Sequence, residues 1–308
     1  MIDQFFAGAG RFALTDGGIE TTLIYDDGLD LPHFAAFPLA VTDAGRAVLT
    51  RYYERHIAIA KREGVGFVLE SPTWRANPDW ADALGYSKTA LAAANRAAMD
   101  LMHTLRAADQ SAATPMLVSG CVGPRGDGYA PGVLMRAETA QAYHDEQIAV
   151  LAQAGADIIS AITMTNAPEA IGVARAAKRH GKPCVVSFTV ETDGRLPTGQ
   201  TLADAIAEVD AAGAQPVYFM INCAHPTHFL DALQTDAPWL HRIGGVRANA
   251  SCKSHDDRNA ATALDRGDPA ELGALYRRLR HALPRLKVLG GCCGTDHTHI
   301  AAIAEACR

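Results

Sequence analysis

Short apolar, β-rich runs alternate along the chain with longer segments whose apolar residues recur every three or four positions. The runs occupy residues 11–18, 65–71, 115–123, 156–163, 182–190, 215–223, 243–251 and 286–294. They are apolar on consecutive positions, as parallel strands covered on both faces require. Between them, residues 43–64, 87–108, 137–155, 167–181, 201–214, 227–234, 268–283 and 297–308 carry the helical spacing. Ser87 is placed to cap the second of these helices, and Gly64 and Gly155 to stop the first and third. Eight strand-then-helix units predict an α/β fold, a (β/α)8 TIM barrel, with residues 1–308 as a single domain. The competing arrangement is an open doubly wound sheet. "GAGRFA" (8–13) superficially matches a dinucleotide-binding glycine run, but it precedes the first strand instead of following it, and is set aside.

Composition narrows the classes of function. Of the 308 residues, 48% are apolar and 20% charged, which is ordinary globular usage. The net charge of −6 and the lack of a basic run argue against a nucleic-acid surface. No stretch approaches the roughly 18 uninterrupted apolar residues of a membrane span. The first residues lack the basic and apolar regions of a secretory signal. Seven cysteines, an odd number scattered through apolar and glycine-rich stretches, fit a reducing cytoplasm better than a disulfide framework. Nothing in the chain sets an oligomeric state.

Active sites of such barrels use the carboxyl ends of the strands. Those ends offer Asp16 before Gly17 and Gly18, Glu70 with Thr73 and Trp74 just beyond, and Cys121. Further along come Thr189 and Glu191, the pair Asn222–Cys223, then Asn249 and Cys252, and finally Cys292–Cys293. In a closed barrel the sixth and eighth strands are near neighbours, so Cys223 and the 292–293 pair face one pocket. Neighbouring residues on a strand point to opposite sides. Two adjacent thiols therefore converge only where the strand stops and turns, and Gly290, Gly291 and Gly294 permit that turn. Three thiolates suit Zn2+ and leave one tetrahedral position open, the catalytic arrangement. A substrate sulfur in that position would bind as thiolate at neutral pH and remain nucleophilic, which points to alkyl transfer to sulfur.

Plainer readings stand beside this one. Buried cysteine is commonly a small hydrophobe, the reading given to Cys184 and Cys307; Cys121 and Cys252 are open. The 292–293 pair itself lacks the CxxC spacing of a zinc knuckle and can be read as core packing. His225 and His228 sit where Pro226 and Thr227 begin a helix, as cap or rim residues before ligands. His297 and His299 follow Thr295 and Asp296, one of which caps the last helix. A hydrolase or lyase using Asp16, Glu70 or Glu191 is a second class, although no carboxylate pair stands out by spacing. A zinc-binding or thiol-sensing barrel without catalysis is a third. The open coordination position separates them: a closed Cys3His site would indicate structure or sensing.

"GGCCGTDHTHI", "INCAHPTH", "VSFTVETDGRLPTGQTLADAI" and "TDGGIET" together resemble the zinc-dependent homocysteine S-methyltransferase family, from about residue 12 to 303. The resemblance implies zinc held by Cys223, Cys292 and Cys293, with homocysteine sulfur completing the shell. It implies that Asp16 helps hold the acceptor's amino group, and that in-line displacement on a sulfonium or quaternary ammonium donor yields methionine. Asn222 falls within a matching stretch, and Thr163 matches the threonine of the family's Glu-Thr pair. A cationic donor calls for aromatic and acidic neighbours, for which Trp74, Glu70 and Glu191 are candidates. Each has a bland counterpart: rim packing for Trp74, solvated loop charge for the glutamates. By length, a sulfonium donor is favoured, S-methylmethionine or S-adenosylmethionine, over betaine, with dimethylsulfoniopropionate a further alternative. One position departs from the family, which commonly has Glu-Thr at the end of the fourth strand; here it is Ile162-Thr163. An apolar side chain cannot make the charge-assisted contact to an ammonium. Either another carboxylate supplies it, or the acceptor is a different thiol.

Overall fold

The structure is a computed structural model that describes residues 2–8, 12–261 and 263–308. Residues 9–11, which include half of the glycine run set aside above and the first residue of the first predicted strand, lie outside the described residues. Eight strands close a parallel barrel in sequence order. They are β1 (Ala13–Leu14), β2 (Gly66–Glu70), β3 (Met116–Val122), β4 (Ile158–Met164), β5 (Cys184–Phe188), β6 (Phe219–Asn222), β7 (Ile243–Ala248) and β8 (Val288–Gly291). Closure pairs Ala13 with Val288 and Leu14 with Leu289. Every predicted run carries one strand, β4 extending one residue past its run, and the open-sheet alternative is excluded.

The eleven helices of the described residues are α1 (Ile2–Gly8), α2 (Ile19–Tyr25), α3 (Asp43–Glu63), α4 (Pro78–Ala83), α5 (Lys88–Asp109), α6 (Ala137–Gln153), α7 (Ala167–Arg179), α8 (Leu202–Ala211), α9 (His255–Asn259), α10 (Pro269–Ala282) and α11 (His297–Ala306). Ser87 caps α5 by accepting the Ala90 N–H, and Gly64 ends α3 in the left-handed region at φ 61°. Asp296, not Thr295, caps α11, in a reciprocal capping box with His299. The helix predicted over 227–234 is absent. Two 3-10 turns, Pro226–His228 and Asp231–Leu233, replace it. Eight residues are too few to hold a helix on their own, and burial of Phe229, Leu230 and Leu233 sets the path of this segment.

Two apolar layers hold the barrel. The outer one lies between strands and helices. The inner one fills the lumen with Ala13, Val68, Leu117, Ile158, Val185, Met220 and Val288, and Phe5 of α1 joins it. Phe6 meets Tyr218, just before β6, so α1 covers the end of the barrel where the strands begin. The opposite end is left for chemistry. Among the described residues no helix is long and apolar enough to cross a membrane.

Candidate thiol-centred site

The loop after β8 is held by hydrogen bonds on both sides. Cys292 N–H donates to Ala248 O at 2.8 Å, and Thr295 returns its N–H and hydroxyl to Cys292 O at 3.1 and 2.7 Å. Cys293 O accepts the Ala250 N–H at 3.0 Å, and Gly294 N–H donates to Thr21 Oγ1 at 3.0 Å. The three glycines do not share one role. Gly294 alone takes a positive φ, 80°. Gly290 and Gly291 remain in β8, and a Cβ there would overlap the hydroxyls of Thr15 and Thr295 respectively. They are small because neighbours approach closely, not because the backbone needs unusual angles.

Cys223, just past β6, has φ 54°, uncommon for a residue with a side chain. Its N–H donates to Arg247 O at 3.1 Å. This turn aims its sulfur at the β8 loop. The three sulfurs lie within 4.8 Å of one another. Cys223 and Cys292 are joined as a disulfide with Cα atoms 5.4 Å apart, and Cys293 Sγ stands 4.0 Å from Cys223 Sγ. In a tetrahedral zinc–thiolate site, sulfurs stand about 3.8 Å apart. The donor set therefore fits such an ion once the bond between Cys223 and Cys292 is reduced.

The strand ends beside the sulfurs are cross-braced. Asn222 accepts Ser187 Oγ at 2.6 Å and the Thr163 N–H at 3.0 Å, and its amide donates to Thr163 Oγ1 at 2.8 Å. Thr163, also left-handed at φ 64°, stands 4.0 Å from Cys223 Sγ. Tyr129 Oη approaches Cys293 Sγ at 3.5 Å, and the Tyr129 ring stacks on His255 at 3.9 Å. Two long loops, after β3 and after β7, thus meet over the sulfurs. Beneath them lies a cavity of about 370 Å³.

The predicted residues divide. Asp16, Glu70, Trp74, Thr163 and the three cysteines line the cavity; Thr73, Asn222 and Glu191 do not. Thr73 instead donates its hydroxyl to Cys121 O at 2.6 Å, bracing β3. Glu191 lies 4.0 Å from His255. Glu70 is buried with Oε2 unpartnered, and burial pushes its carboxyl up. Trp74 donates Nε1 to Ile162 O at 3.1 Å, while the Arg75 guanidinium covers its ring at 4.2 Å. That leaves less of the indole for a cationic ligand. Ile162 lines the cavity and packs in the luminal layer. Cys184 and Cys307 are buried, Cys252 is exposed, and Cys121 lines the cavity with its thiol pushed far up by burial. None of these joins the sulfur cluster. His225 caps its 3-10 turn, held low, at about 4, by burial; His228 donates its Nε2–H to Cys252 O at 2.8 Å.

Arg247 and Glu20 are among the charged residues of the cavity that were not singled out from the sequence. Arg247, in β7, is 7% exposed. Its Nη2 pairs with Asp16 Oδ1 at 2.7 Å and reaches Gly17 O at 3.3 Å, and its Nε donates to Gly291 O at 3.1 Å. Tyr52 Oη donates to the other Asp16 oxygen at 2.9 Å. Burial works against the guanidinium's charge, but Asp16 and Glu70 beside it hold that charge firmly. Glu20, in the first turn of α2, is half-buried, and burial raises its carboxyl to about 7. A cation inside the apolar run "IGGVRANAS" was a usable signal for Arg247, because unpaired charge is rarely buried. Glu20 gave none.

A closed parallel barrel with three converging cysteine sulfurs over the carboxyl ends of its strands defines a thiol-centred barrel whose donor set fits a metal ion. Residues 13–307 match the family model described as homocysteine S-methyltransferase, and the chain belongs to that family. Homocysteine S-methyltransferase of Escherichia coli (strain K12) is 29% identical over 209 residues, covering 64% of this chain and 64% of that protein. The chain thus spans just under two thirds of that relative's length. Homocysteine S-methyltransferase 4 of Zea mays is 27% identical, covering 99% of this chain and 92% of that protein. The oxidised form of the homocysteine methyltransferase MmuM from Escherichia coli has a TM-score of 0.77 at 22% identity, with 98% of both chains covered. Its metallated form has 0.72 at 22%, with 96% of both covered. At this identity the likeness establishes the fold.

Proposed function

We propose that the protein is a zinc-dependent S-methyltransferase that moves a methyl group from a sulfonium donor to the thiol of homocysteine, giving methionine. The observation that carries this reading is the convergence of Cys223, Cys292 and Cys293 over the cavity. The family membership supports the acceptor, and the existence of a metallated form of MmuM supports a bound metal. Cys223, Cys292 and Cys293 would hold Zn2+, which lowers the pKa of an added thiol so that it binds as thiolate at neutral pH.

The chain's own residues do the rest. The cavity holds acceptor and donor together and excludes bulk water, replacing a bimolecular encounter by a positioned one. Asn222, locked by Ser187 and Thr163, stands beside Cys292 Sγ at 3.9 Å and orients the sulfur cluster. Glu70 and the rings of Tyr53 and Phe34 line the cavity and suit a cationic donor. The acceptor thiol loses its proton to solvent. Its sulfur then forms the new bond to the methyl carbon as the donor's carbon–sulfur bond breaks, and the electron pair leaves with a donor sulfur that is now neutral. A reducing cytoplasm, where Cys223 and Cys292 exist as thiols, suits this chemistry.

The test is metal content by mass spectrometry on protein purified under reducing conditions, followed by turnover with homocysteine and S-methylmethionine, S-adenosylmethionine, dimethylsulfoniopropionate or betaine. About one zinc per chain and methionine formation are expected. Zinc-free protein that takes up none on addition would refute the reading.

A further inference from the structure

Glu20 and Arg247 stand apart from most other charges of the cavity; Glu70 also keeps an unpartnered oxygen and is assigned above to the donor. Arg75 runs to Gly126 O at 2.9 Å and toward Asp127 at 3.9 Å. Lys253 pairs with Asp265 at 3.2 Å. Asp16 has both oxygens engaged, one by Arg247 and one by Tyr52. Glu20, by contrast, has no side-chain hydrogen-bond partner among the described residues; its own backbone and the more distant charges of Arg75 and Arg247 favour the carboxylate, against the larger effect of burial. Arg247 uses Nε and Nη2 and leaves Nη1 without a hydrogen-bond partner among them. Both residues line the same cavity.

Their placement relative to the sulfurs is set by the β8 loop. Arg247 Nε is bonded to Gly291 O, one residue before Cys292. Thr21, the residue after Glu20, receives the Gly294 N–H, one residue after Cys293. A free carboxylate and a free guanidinium edge therefore flank the two cysteines from opposite ends of one short loop. Ile162, the cavity residue from β4, is apolar and offers neither charge.

We propose that Glu20 and Arg247 form the clamp for the acceptor's α-amino-acid head: the Glu20 carboxylate receives the ammonium, and Arg247 Nη1 donates to the carboxylate. This rests on the homocysteine reading above and names the residues that select the acceptor. The chemistry is complementary, one free anion for the cation and one free donor edge for the anion, with a thiol site between them. Asp16 then acts as a positioning residue. It holds Arg247 by Nη2 and leaves Nη1 turned to the ligand. The ammonium supplies Glu20 with a direct partner, so the cost of holding that carboxylate ionised in its buried place is offset further when the acceptor is present.

The experiment is thiol binding to the reduced, zinc-loaded protein by calorimetry, with no donor present. The probes are homocysteine, mercaptobutyrate, which lacks only the ammonium, and mercaptopropylamine, which lacks only the carboxylate. The wild type is expected to bind homocysteine about 10- to 100-fold more tightly than either analogue, the usual worth of a charge-assisted contact. Glu20→Gln is expected to abolish the preference over mercaptobutyrate and to keep the preference over mercaptopropylamine. The carboxylate arm is read on the wild type because Arg247 also supports the fold. If Glu20→Gln keeps the full preference, or if the wild type binds mercaptopropylamine as tightly as homocysteine, the clamp is overturned. If the thiols bind as expected and no donor supports turnover, the clamp stands and the methyltransferase reading falls. If zinc-loaded protein takes up no thiol, both fall.

Discussion

Arg247→Met should destabilise the protein by removing the cation from a buried ion pair while leaving its partner in place. Methionine matches the length of the aliphatic stem, so the packing loss is small. What goes are the 2.7 Å pair with Asp16, the 3.1 Å bond to Gly291 O and the 3.3 Å bond to Gly17 O. Asp16 is 2% exposed and would keep only the Tyr52 hydroxyl. Breaking a buried pair from one side costs about 3–5 kcal/mol. The unfolding entropy of a chain this long converts that to a fall of about 5–8 °C in melting temperature. The assay is thermal unfolding followed by circular dichroism, with reductant present. Asp16→Asn in the same chain should then cost much less than it does alone, because the orphaned charge has gone; a coupling of about 2 kcal/mol or more is expected. A melting temperature within 2 °C of wild type, or costs for the two substitutions that simply add, would refute the argument that the pair is a single unit.

Three further outcomes follow from the site. Cys293→Ser should lose zinc and turnover while its far-ultraviolet spectrum matches wild type, since the luminal and outer layers do not involve that loop; full zinc and turnover would sink the assignment. Gly291→Ala should cost about 1–3 kcal/mol by forcing Thr295 away, and should weaken zinc because Thr295 Oγ1 fixes Cys292 O; metal titration beside a melting curve reads both. Glu20, raised to about 7 when folded against 4.5 ordinarily, adds stability when protonated. That contribution is full below about pH 4.5 and lost as pH rises through about 7. Glu20→Gln should therefore flatten the decline in stability over that window, measured by denaturant unfolding at stepped pH.

The barrel was legible because its strands are buried on both faces and so read as unbroken apolar runs. The convergence of the sulfurs was legible for a related reason. Strand ends define one face, and "NC" and "GGCC" both fall on it. Arg247 and Asp16 were a different matter. They lie 231 positions apart, and no local pattern announces a pairing across β1 and β7. Glu20 sits in a stretch for which the apolar pattern predicted no element, and its unusual carboxyl arises from burial that only the closed cavity creates. The glycines of the β8 loop were read for backbone freedom, whereas Gly290 and Gly291 answer to crowding by threonines on neighbouring segments. The short helix expected over 227–234 failed because eight residues of suitable spacing do not outweigh the core contacts of Phe229 and Leu233.

The bond between Cys223 and Cys292 joins residues 69 positions apart and encloses all of β7 and α10. A cross-link over that span restricts the unfolded chain enough to favour the folded one by about 4 kcal/mol. The same two sulfurs cannot both hold an ion and hold each other. Durability and competence therefore draw on a shared pair of atoms. A sample left in air would resist heat better than reduced, metal-free protein and yet be inert, so resistance to heat is a poor guide to which preparation is fit to work.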